Sequence, residues 1–355
     1  MTLREVAKRA NVSIATVSRT INCAPNLNPY LARRVRRVIE EIGYYPNTHA
    51  RALACGRSRI FGLMISETIN LFFPEIVRTF ENLGFEHNFE VFLSSITRDP
   101  RRIEIGVRRM IERQVEGVAI LSFEEENSLI EVFRRQNLPV VVLDIESHGP
   151  LLRAVCIDYK HGIRQAVQHL AALGHIRIAL ITGPTHLRTA VARKLAVQEC
   201  MKEIELEIPP ELLVEGDHTL EAGLKALSLL AALPDRPSAV ICWNDVTAMG
   251  VMRGAFELGL DIPRDLSLVG FDDIHMAQFA TPPLTTVQIS QAEIANRTFR
   301  ALLDSEKDQS NGSSRGVCAI QTHLVLRHTT APAPGRLKAS PSGRRGSNRS
   351  GPKRT

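Results

Sequence analysis

The chain has 355 residues, of which 44% are hydrophobic, and it carries six cysteines and a formal net charge of +6. No apolar run reaches the roughly 18 residues of a membrane helix, and the first residues form a charged amphipathic pattern instead of a signal peptide. The cysteines are scattered, without a CxxC pair or a metal-ligand spacing. Composition therefore predicts a cytoplasmic protein with reduced thiols, no membrane contact, no metal and no cofactor.

The first twenty residues carry the pattern of two short helices joined by a tight turn. Thr2 is followed three residues later by Glu5, the spacing of a capping box that begins a helix. Asn11 tolerates the left-handed conformation that ends such a helix, and Ser13 is suited to cap the next one. The face of the first helix that we expect to be buried carries Leu3, Val6, Ala7 and Ala10.

The second helix presents a surface of short side chains that ends in one guanidinium group, which suits entry into the major groove of DNA. An ordinary amphipathic helical pair is the alternative, because this pattern by itself is weakly specific. We predict base contacts for Ile14, Ala15 and Arg19. The residues for which we predict phosphate contacts are Ser13, Thr16 and Ser18.

A third helix completes the pattern of a small DNA-binding head. Asn28 and Pro29 form a cap and a first-turn proline, and Gly43 ends the helix. Residues 1–59 hold eleven Lys or Arg against three Glu, a net charge of +8, whereas residues 60–330 carry a net charge of −9. A positive charge of this size is typical of a surface that binds phosphate. The apolar stripe of the third helix is Leu31, Val35, Val38, Ile39 and Ile42.

After the head, Pro46 interrupts the chain and an alanine-rich run predicts a helix of about two turns, too short to be stable alone. Residues 1–58 resemble the head and hinge of the lactose/galactose repressor (LacI/GalR) family, because head, third helix and hinge match in order. The resemblance implies that the hinge helix forms when two subunits meet on an operator. It places Asn47, Ala50 and Leu53 at the DNA, with Leu53 as a wedge in the minor groove. The alternative is that Leu53 packs within its own chain.

Beyond the hinge, short β-rich runs alternate with helical patterns, which predicts parallel sheets with crossover helices. Two doubly wound lobes fit the length, and the resemblance to periplasmic-binding-protein-like cores implies that the chain crosses between them more than once. Ligands of such folds bind beyond the carboxyl ends of strands, here in a cleft between lobes. The predicted strands are 60–65, 90–94, 117–121, 139–143, 154–157, 177–181, 238–242, 266–269, 285–289 and 318–326, and the helices named between them are 74–87, 101–114 and 162–173.

Candidate effector-binding residues follow several of these strands. The resemblance implies that Phe72 and Phe73 form an aromatic pair at the ligand. Asp144 and Asp158 end consecutive strands, where a carboxylate either accepts hydroxyl hydrogen bonds or caps a helix. Arg193 stands at the family's arginine position, and its five donors suit a carboxylate or a pair of sugar hydroxyls.

Two further family motifs occur in the second half of the core. They are Cys-Trp-Asn-Asp at 242–245 and Gly-Phe-Asp-Asp at 270–273, and the resemblance places Asn244 and Asp272 at the cleft. Trp243, the single tryptophan, either stacks on a sugar ring or fills the core of a lobe. A mixture of Asp, Asn, Arg and aromatic rings is typical of a sugar site and fits other polar metabolites. The family usually has Gly and an aromatic residue where this chain has Ala196 and Val197, which weakens a choice of ligand.

The last residues change composition to Ala, Pro, Gly, Ser, Arg and Lys, with seven basic and no acidic residues from 331 to 355. Such a segment is expected to be a solvated, disordered tail, or one that contacts DNA without sequence preference. We therefore predict four regions: a head at 1–45, a linker with a hinge helix at 46–58, a two-lobed core at 59–330 that binds the effector and dimerises, and a basic tail at 331–355.

The sequence predicts a homodimeric bacterial transcription regulator, a repressor, whose affinity for operator DNA is controlled by a sugar-like metabolite. A solute-binding protein would share the core but would have no use for a basic head. An enzyme on a doubly wound sheet would be expected to show a phosphate loop or an activated nucleophile, and none of GxGxxG, GxxxxGK[ST] or GxSxG occurs. The sequence leaves open the identity of the effector and whether it induces or co-represses.

Overall fold

In a computed structural model, the chain is described over residues 2–21, 27–44, 57–66, 71–96, 99–122, 127–145, 151–307 and 319–335. These residues divide into two compact units. The first holds the described residues up to Val155 together with Ile294–Lys307, and the second holds Cys156–Glu293 together with residues 319–335. The chain therefore passes between the units more than once, as the resemblance implied.

The head consists of three helices whose ends follow the predicted capping signals. They are α1 (Leu3–Arg9), α2 (Ile14–Ile21) and α3 (Pro29–Ile42). Thr2 and Glu5 form both hydrogen bonds of the capping box, and Asn28 accepts a hydrogen bond from the Tyr30 N–H. Gly43 ends α3 in the left-handed conformation, with φ +59°. The three helices close on one apolar cluster, formed by Val6, Ala7, Ala10, Val17, Val35, Val38 and Ile42.

The first unit contains a five-stranded, fully parallel sheet in the order β2-β1-β3-β4-β5. β3 and β4 are buried throughout, as is typical of strands covered on both faces. Its strands are β1 (Ile60–Ser66), β2 (Glu90–Ile96), β3 (Gly117–Leu121), β4 (Val140–Leu143) and β5 (Leu152–Val155), and its helices outside the head are α4 (Phe73–Glu86), α5 (Pro100–Glu112), α6 (Asn127–Arg135) and α11 (Gln291–Lys307, shared at its start with the second unit).

The second unit contains a six-stranded sheet in the order β13-β11-β10-β9-β7-β8 and a two-stranded sheet of β12 and β6. All pairs are parallel except β11 with β13. The strands are β6 (Ile157–Asp158), β7 (Ile178–Thr182), β8 (Leu213–Glu215), β9 (Ala239–Cys242), β10 (Ser267–Asp272), β11 (Thr286–Gln288), β12 (Ile320–Gln321) and β13 (His323–Val325). The helices are α7 (Tyr159–Ala172), α8 (Arg188–Lys202), α9 (Leu220–Ala231) and α10 (Asp245–Glu257), with 3-10 turns at Pro210–Leu212 and His275–Phe279.

The predicted fold class is confirmed, with four differences in detail. The strand predicted at 318–326 is divided into β12 and β13, which belong to different sheets. β8 was not predicted, because it has only three residues and none of them is fully buried. The strand predicted at 154–157 is divided into β5 and β6, since the boundary between the two units falls after Val155. The strand predicted at 266–269 continues to Asp272, which brings that carboxylate to the end of β10.

Residues 331–335, which the sequence placed in the basic tail, are held against the second unit. The Ala331 N–H donates to Ser267 Oγ at 3.0 Å, and the Ala333 N–H donates to the Leu173 carbonyl at 2.9 Å. His175, buried, contacts the Ala331 carbonyl at 2.9 Å through Nε2 and Ser238 Oγ at 2.8 Å through Nδ1. These backbone hydrogen bonds order five residues that have little apolar surface to bury. The rest of the predicted tail lies outside the described residues.

Candidate functional site

The residues of α2 for which we predict base contacts lie on its exposed side. Ile14 is 46% exposed, and Ala15 and Arg19 are also exposed. Ser13 caps the helix, because its Oγ accepts a hydrogen bond from the Thr16 N–H at 3.1 Å and lies 2.9 Å from Thr16 Oγ1. The second helix therefore presents a short-side-chained face with one exposed guanidinium.

Arg34 braces the turn between α1 and α2, a role that the sequence analysis missed. Its Nη2 donates to the carbonyl of Asn11 at 2.7 Å, and Asn11 has the left-handed φ of +47° that was predicted for the end of α1. The signal was difficult to see because the two residues are 23 positions apart. The predicted hinge residues Asn47, Ala50 and Leu53 lie outside the described residues.

Arg193 is the centre of a polar cluster in the second unit. Arg193 is 4% exposed. Its Nη1 donates to the Trp243 carbonyl at 3.0 Å and to Asp272 Oδ1 at 3.3 Å. The guanidinium carbon lies 4.1 Å from the ring centroid of Phe271, 4.4 Å from that of Trp243 and 4.9 Å from that of Tyr159. Three aromatic faces and one carboxylate therefore balance a cation that is almost completely removed from water.

Asp272 lies at the carboxyl end of β10, in a backbone conformation with φ +103°. Burial raises the pKa of its carboxyl to about 6, and the neighbouring charge and hydrogen bond of Arg193 act in the opposite direction. The side-chain amide of Gln291 donates to the Asp272 carbonyl at 2.9 Å. The carboxylate is therefore held in place by both its side chain and its main chain.

The indole of Trp243 packs against the same cluster. A Cβ added to Gly183 would lie 2.7 Å from two atoms of the indole ring, so only glycine permits this approach. The indole Nε1–H donates to His218 Nδ1 at 2.6 Å, and His218 has a left-handed φ of +72°. His218 was missed by the sequence analysis, because a lone histidine in a loop carries no pattern.

Two acidic or amide candidates act as helix caps. The Asn244 side chain accepts a hydrogen bond from the Thr247 N–H at 2.8 Å and begins α10. Asp158 likewise accepts from the His161 N–H at 3.1 Å and begins α7, so the capping alternative is confirmed for Asp158. A contact of Asn244 with an effector stays a prediction.

Asp245, next to Asn244, is fully buried and organises the ends of the neighbouring strands. Its carboxylate accepts hydrogen bonds from the Ile274 N–H at 2.8 Å and from the Thr286 hydroxyl. Burial raises the pKa of this carboxyl well above its usual range, and the charge of Asp272 acts in the same direction. Asp245 thus ties the loop after β10 to β11, next to the Arg193 cluster.

A cavity of about 20 Å³ lies among the side chains behind this cluster. Such a space holds about one water molecule and no metabolite. Its wall is mostly apolar and includes Arg193 and Trp243 together with Ile163, Val197, Cys242 and Phe271.

The remaining effector candidates belong to the first unit. Phe72 and Phe73 are fully buried, with ring centroids 5.5 Å apart in an edge-to-face arrangement. Asp144 is half-buried, has a left-handed φ of +56°, and its N–H donates to the Val155 carbonyl at 2.8 Å. The second unit by itself brings Arg193, Trp243 and Asp272 together, and contact of the first-unit residues with an effector stays a prediction.

Comparison with known proteins agrees with both parts of this description. Residues 2–47 match the family described as bacterial regulatory proteins, lacI family, and residues 167–330 match the periplasmic binding protein-like domain. The chain is 32% identical over 335 residues to the HTH-type transcriptional repressor CytR of Escherichia coli strain K12, covering 94% of this chain and 97% of that protein. The chain belongs to the lacI family of bacterial regulatory proteins.

Other relatives of this lacI-family chain are similar to it in sequence or structure over nearly its whole length. It is 31% identical over 332 residues to the catabolite control protein A of Priestia megaterium, covering 93% of this chain and 99% of that protein. The crystal structure of the lac repressor dimer bound to operator and the anti-inducer ONPF is similar with a TM-score of 0.82 at 27% identity, covering 93% and 99% of the two chains.

Membership of the lacI family makes this protein a DNA-binding transcription regulator and not an enzyme. The alternative of a solute-binding protein finds no support, because the relatives that match over the whole chain are transcription regulators. In the described part of the chain, no helix has both the length and the apolarity needed to cross a membrane. Among the same residues, no three His, Cys, Asp or Glu side chains are grouped as metal ligands.

Proposed function

We propose that this lacI-family protein is a homodimeric repressor that binds a pseudo-palindromic operator and releases or engages it in response to a small polar metabolite. One observation carries the proposal. A basic head with an exposed α2 surface shares its chain with a buried Arg193, Trp243 and Asp272 cluster at the carboxyl ends of parallel strands, where open α/β folds bind ligands. The lac repressor named above is a dimer on its operator. A regulator of chromosomal genes acts in the cytoplasm, which is where we place it.

In the head, Ile14, Ala15 and Arg19 contact base edges in the major groove. Their exposure on one side of α2 supports this role. Ser13, Thr16 and Ser18 contact phosphate. The hydrogen bond between Ser13 and Thr16 uses one of their two hydroxyl protons, so the other hydroxyl can donate to a phosphate oxygen.

Between head and core, the hinge helix forms when two subunits meet on the operator. Asn47, Ala50 and Leu53 then contact the minor groove, with Leu53 inserted between base pairs so that the duplex bends. Replacing Leu53 by Ala is expected to weaken operator binding and to reduce the bend measured by gel mobility. Normal affinity together with normal bending would reject the wedge.

The effector is a sugar or a sugar-like metabolite that contacts Arg193, Trp243, Asn244 and Asp272 in the second unit. The remaining contacts come from Phe72, Phe73 and Asp144. Aromatic faces beside a guanidinium and a carboxylate are suited to a hydroxylated ring. Two related regulators support this class: a CelR structure is a cellobiose complex, and a lacI-family regulator from Enterococcus faecium contains bound ribose.

The DNA-binding part is tested by selecting duplexes from a randomised pool with the full-length protein. Arg19→Ala should weaken binding to the selected duplex by about 1 to 3 kcal/mol and relax specificity at one base position. The matched control is Arg37→Ala, an exposed α3 residue paired with Glu41, which should leave the preference intact. An equal loss on every duplex would make Arg19 a phosphate contact, and no preferred duplex would reject the function.

The effector part is tested by screening metabolites for a shift in melting temperature, since a true ligand stabilises by mass action. The ligand should also change the fluorescence of Trp243 and the affinity for the selected duplex, and the direction of that change separates inducer from co-repressor. Arg193→Lys, which keeps the charge but loses the planar donors, should abolish the shift. An unchanged shift in that variant would place the ligand elsewhere.

A further inference from the structure

At the junction between the predicted hinge and β1, the carboxylate of Glu116 contacts both Arg57 and Arg59. Glu116 Oε1 accepts a hydrogen bond from the Arg59 N–H at 2.6 Å, and its Oε2 lies 3.5 Å from Nη2 of Arg57. The Glu116 side chain is 14% exposed. It stands immediately before β3, so its own position is set by the sheet.

Further hydrogen bonds fasten the same short stretch to the first unit. Ser58 Oγ donates to the Gln114 carbonyl at 2.6 Å and accepts from the Ile60 N–H at 3.3 Å. The Glu116 N–H donates to the Ile60 carbonyl at 2.8 Å. Residues 57–60 are thus held by residues 114–116, which are more than fifty positions away in the sequence.

Arg59 adopts a conformation that a residue with a side chain seldom takes, with φ +57°. Such a backbone persists only where its surroundings determine it. Here the Glu116 carboxylate holds the Arg59 N–H, the Arg59 carbonyl accepts from the Glu90 N–H at 2.8 Å, and the guanidinium lies 5.1 Å from the Phe89 ring centroid. The chain is therefore turned at this residue, at the point where it enters β1.

We propose that Glu116, which directly precedes a strand of the core sheet, is a positioning residue for DNA binding that sets the direction in which the linker leaves the core. When this carboxylate is lost, the linker samples more directions, and more conformational freedom is lost when two heads bind one operator. Operator affinity then falls without any change in the residues that contact DNA.

The test uses the full-length protein and the duplex selected by the wild type. Glu116→Ala should raise the dissociation constant by roughly threefold to thirtyfold. Glu116→Gln, which keeps an acceptor for the Arg59 N–H but loses the charge beside Arg57, should give a smaller increase. The salt dependence of binding should keep its slope, because the number of neutralised phosphates is the same.

The matched control is Glu131→Gln, which removes an exposed ion pair with Arg134 on α6 of the same unit and should leave affinity unchanged. If Glu116→Ala does not fold, Glu116→Gln and Ser58→Ala carry the test. Variants that bind as tightly as the wild type, or that alter the salt slope, overturn the proposal. This proposal rests on the proposed function, but the two can fail separately. A wild-type protein without a preferred duplex would reject the proposed function, whereas variants that bind as tightly as the wild type would reject only the role of Glu116.

Discussion

Arg193 and Asp272 form an ion pair in which Nη1 lies 3.3 Å from Oδ1 and both side chains are 5% exposed. The two residues are 79 positions apart and come from α8 and the end of β10. A buried pair of this kind loses the hydration of both charges. The cation–π contacts of the guanidinium with three aromatic rings offset part of that cost. A ligand that binds Arg193 therefore has to replace some of the contacts that Asp272 and the three rings make with the guanidinium.

Removing one partner of this ion pair is expected to lower the free energy of unfolding more than replacing both partners with apolar residues. Arg193→Met alone should lower the free energy of unfolding by about 3 to 5 kcal/mol, because it leaves the buried Asp272 carboxylate without its partner. Asp272→Leu should cost less, because burial already disfavours the charged form of this carboxyl. The double variant should lose clearly less than the sum, as measured by urea unfolding followed through Trp243 fluorescence. Removing the exposed pair between Arg253 and Glu257 should cost less than about 1 kcal/mol. Additive losses at Arg193 and Asp272 would contradict this account.

The raised pKa of Asp272 makes a prediction about pH. With a folded pKa of about 6 against 3.8, the folded carboxyl binds a proton between pH 4 and 6 that the unfolded chain does not bind. Its contribution to stability is therefore complete below the unfolded pKa and is lost as pH rises through 6. Between pH 7 and pH 5 the wild type should gain about 1 kcal/mol relative to Asp272→Asn.

The difference between the two proteins isolates Asp272 from other titrating groups. Burial lowers the pKa of His169 and of His175, which weakens the fold as pH falls below about 6.5, but both histidines are present in both proteins. Stability is read from urea unfolding at each pH. If the difference in free energy of unfolding between the wild type and Asp272→Asn stays constant between pH 7 and 5, the Asp272 carboxyl titrates outside this pH range.

Gly183→Ala should displace the Trp243 indole. The new methyl group would lie 2.7 Å from two ring atoms, so the ring has to move and its hydrogen bond to His218 lengthens. Because the chain has one tryptophan, the shift of its emission toward longer wavelength reports the displacement directly. Gly254→Ala, whose added methyl meets a flexible Leu227 side chain at 3.2 Å, is the control. Identical emission spectra for all three proteins would refute the packing.

Replacing the seven basic residues of 336–355 by Ser should lower the salt dependence of DNA binding. Each neutralised phosphate contributes roughly 0.9 to the slope of log K against log salt concentration on duplex DNA. The replacement leaves Ala331 and Ala333, which are hydrogen-bonded to the second unit, unchanged. A slope equal to that of the wild type would leave the tail as a solvated segment without a role in DNA binding.

The head and the order of strands and helices were predictable because their signals are local. The capping box of Thr2 and Glu5, the Asn28 cap and the left-handed Gly43 each depend on a few neighbouring backbone groups. The alternation of β-rich and helical patterns likewise reflects burial along each element. Arg193 was predictable as a site residue only through the family resemblance.

The sequence by itself determined which elements form and which parts of the chain are basic, because these depend on local backbone chemistry and composition. It also indicated the family, through the resemblance of the head, third helix and hinge in order. Only the tertiary structure decided that Arg193 lies among three aromatic rings, that His218 accepts from Trp243 and that Glu116 holds Arg57 and Arg59. Each of these contacts joins residues at least 25 positions apart. Such contacts, and the loss of water that shifts the pKa of Asp272, arise only when distant segments pack together.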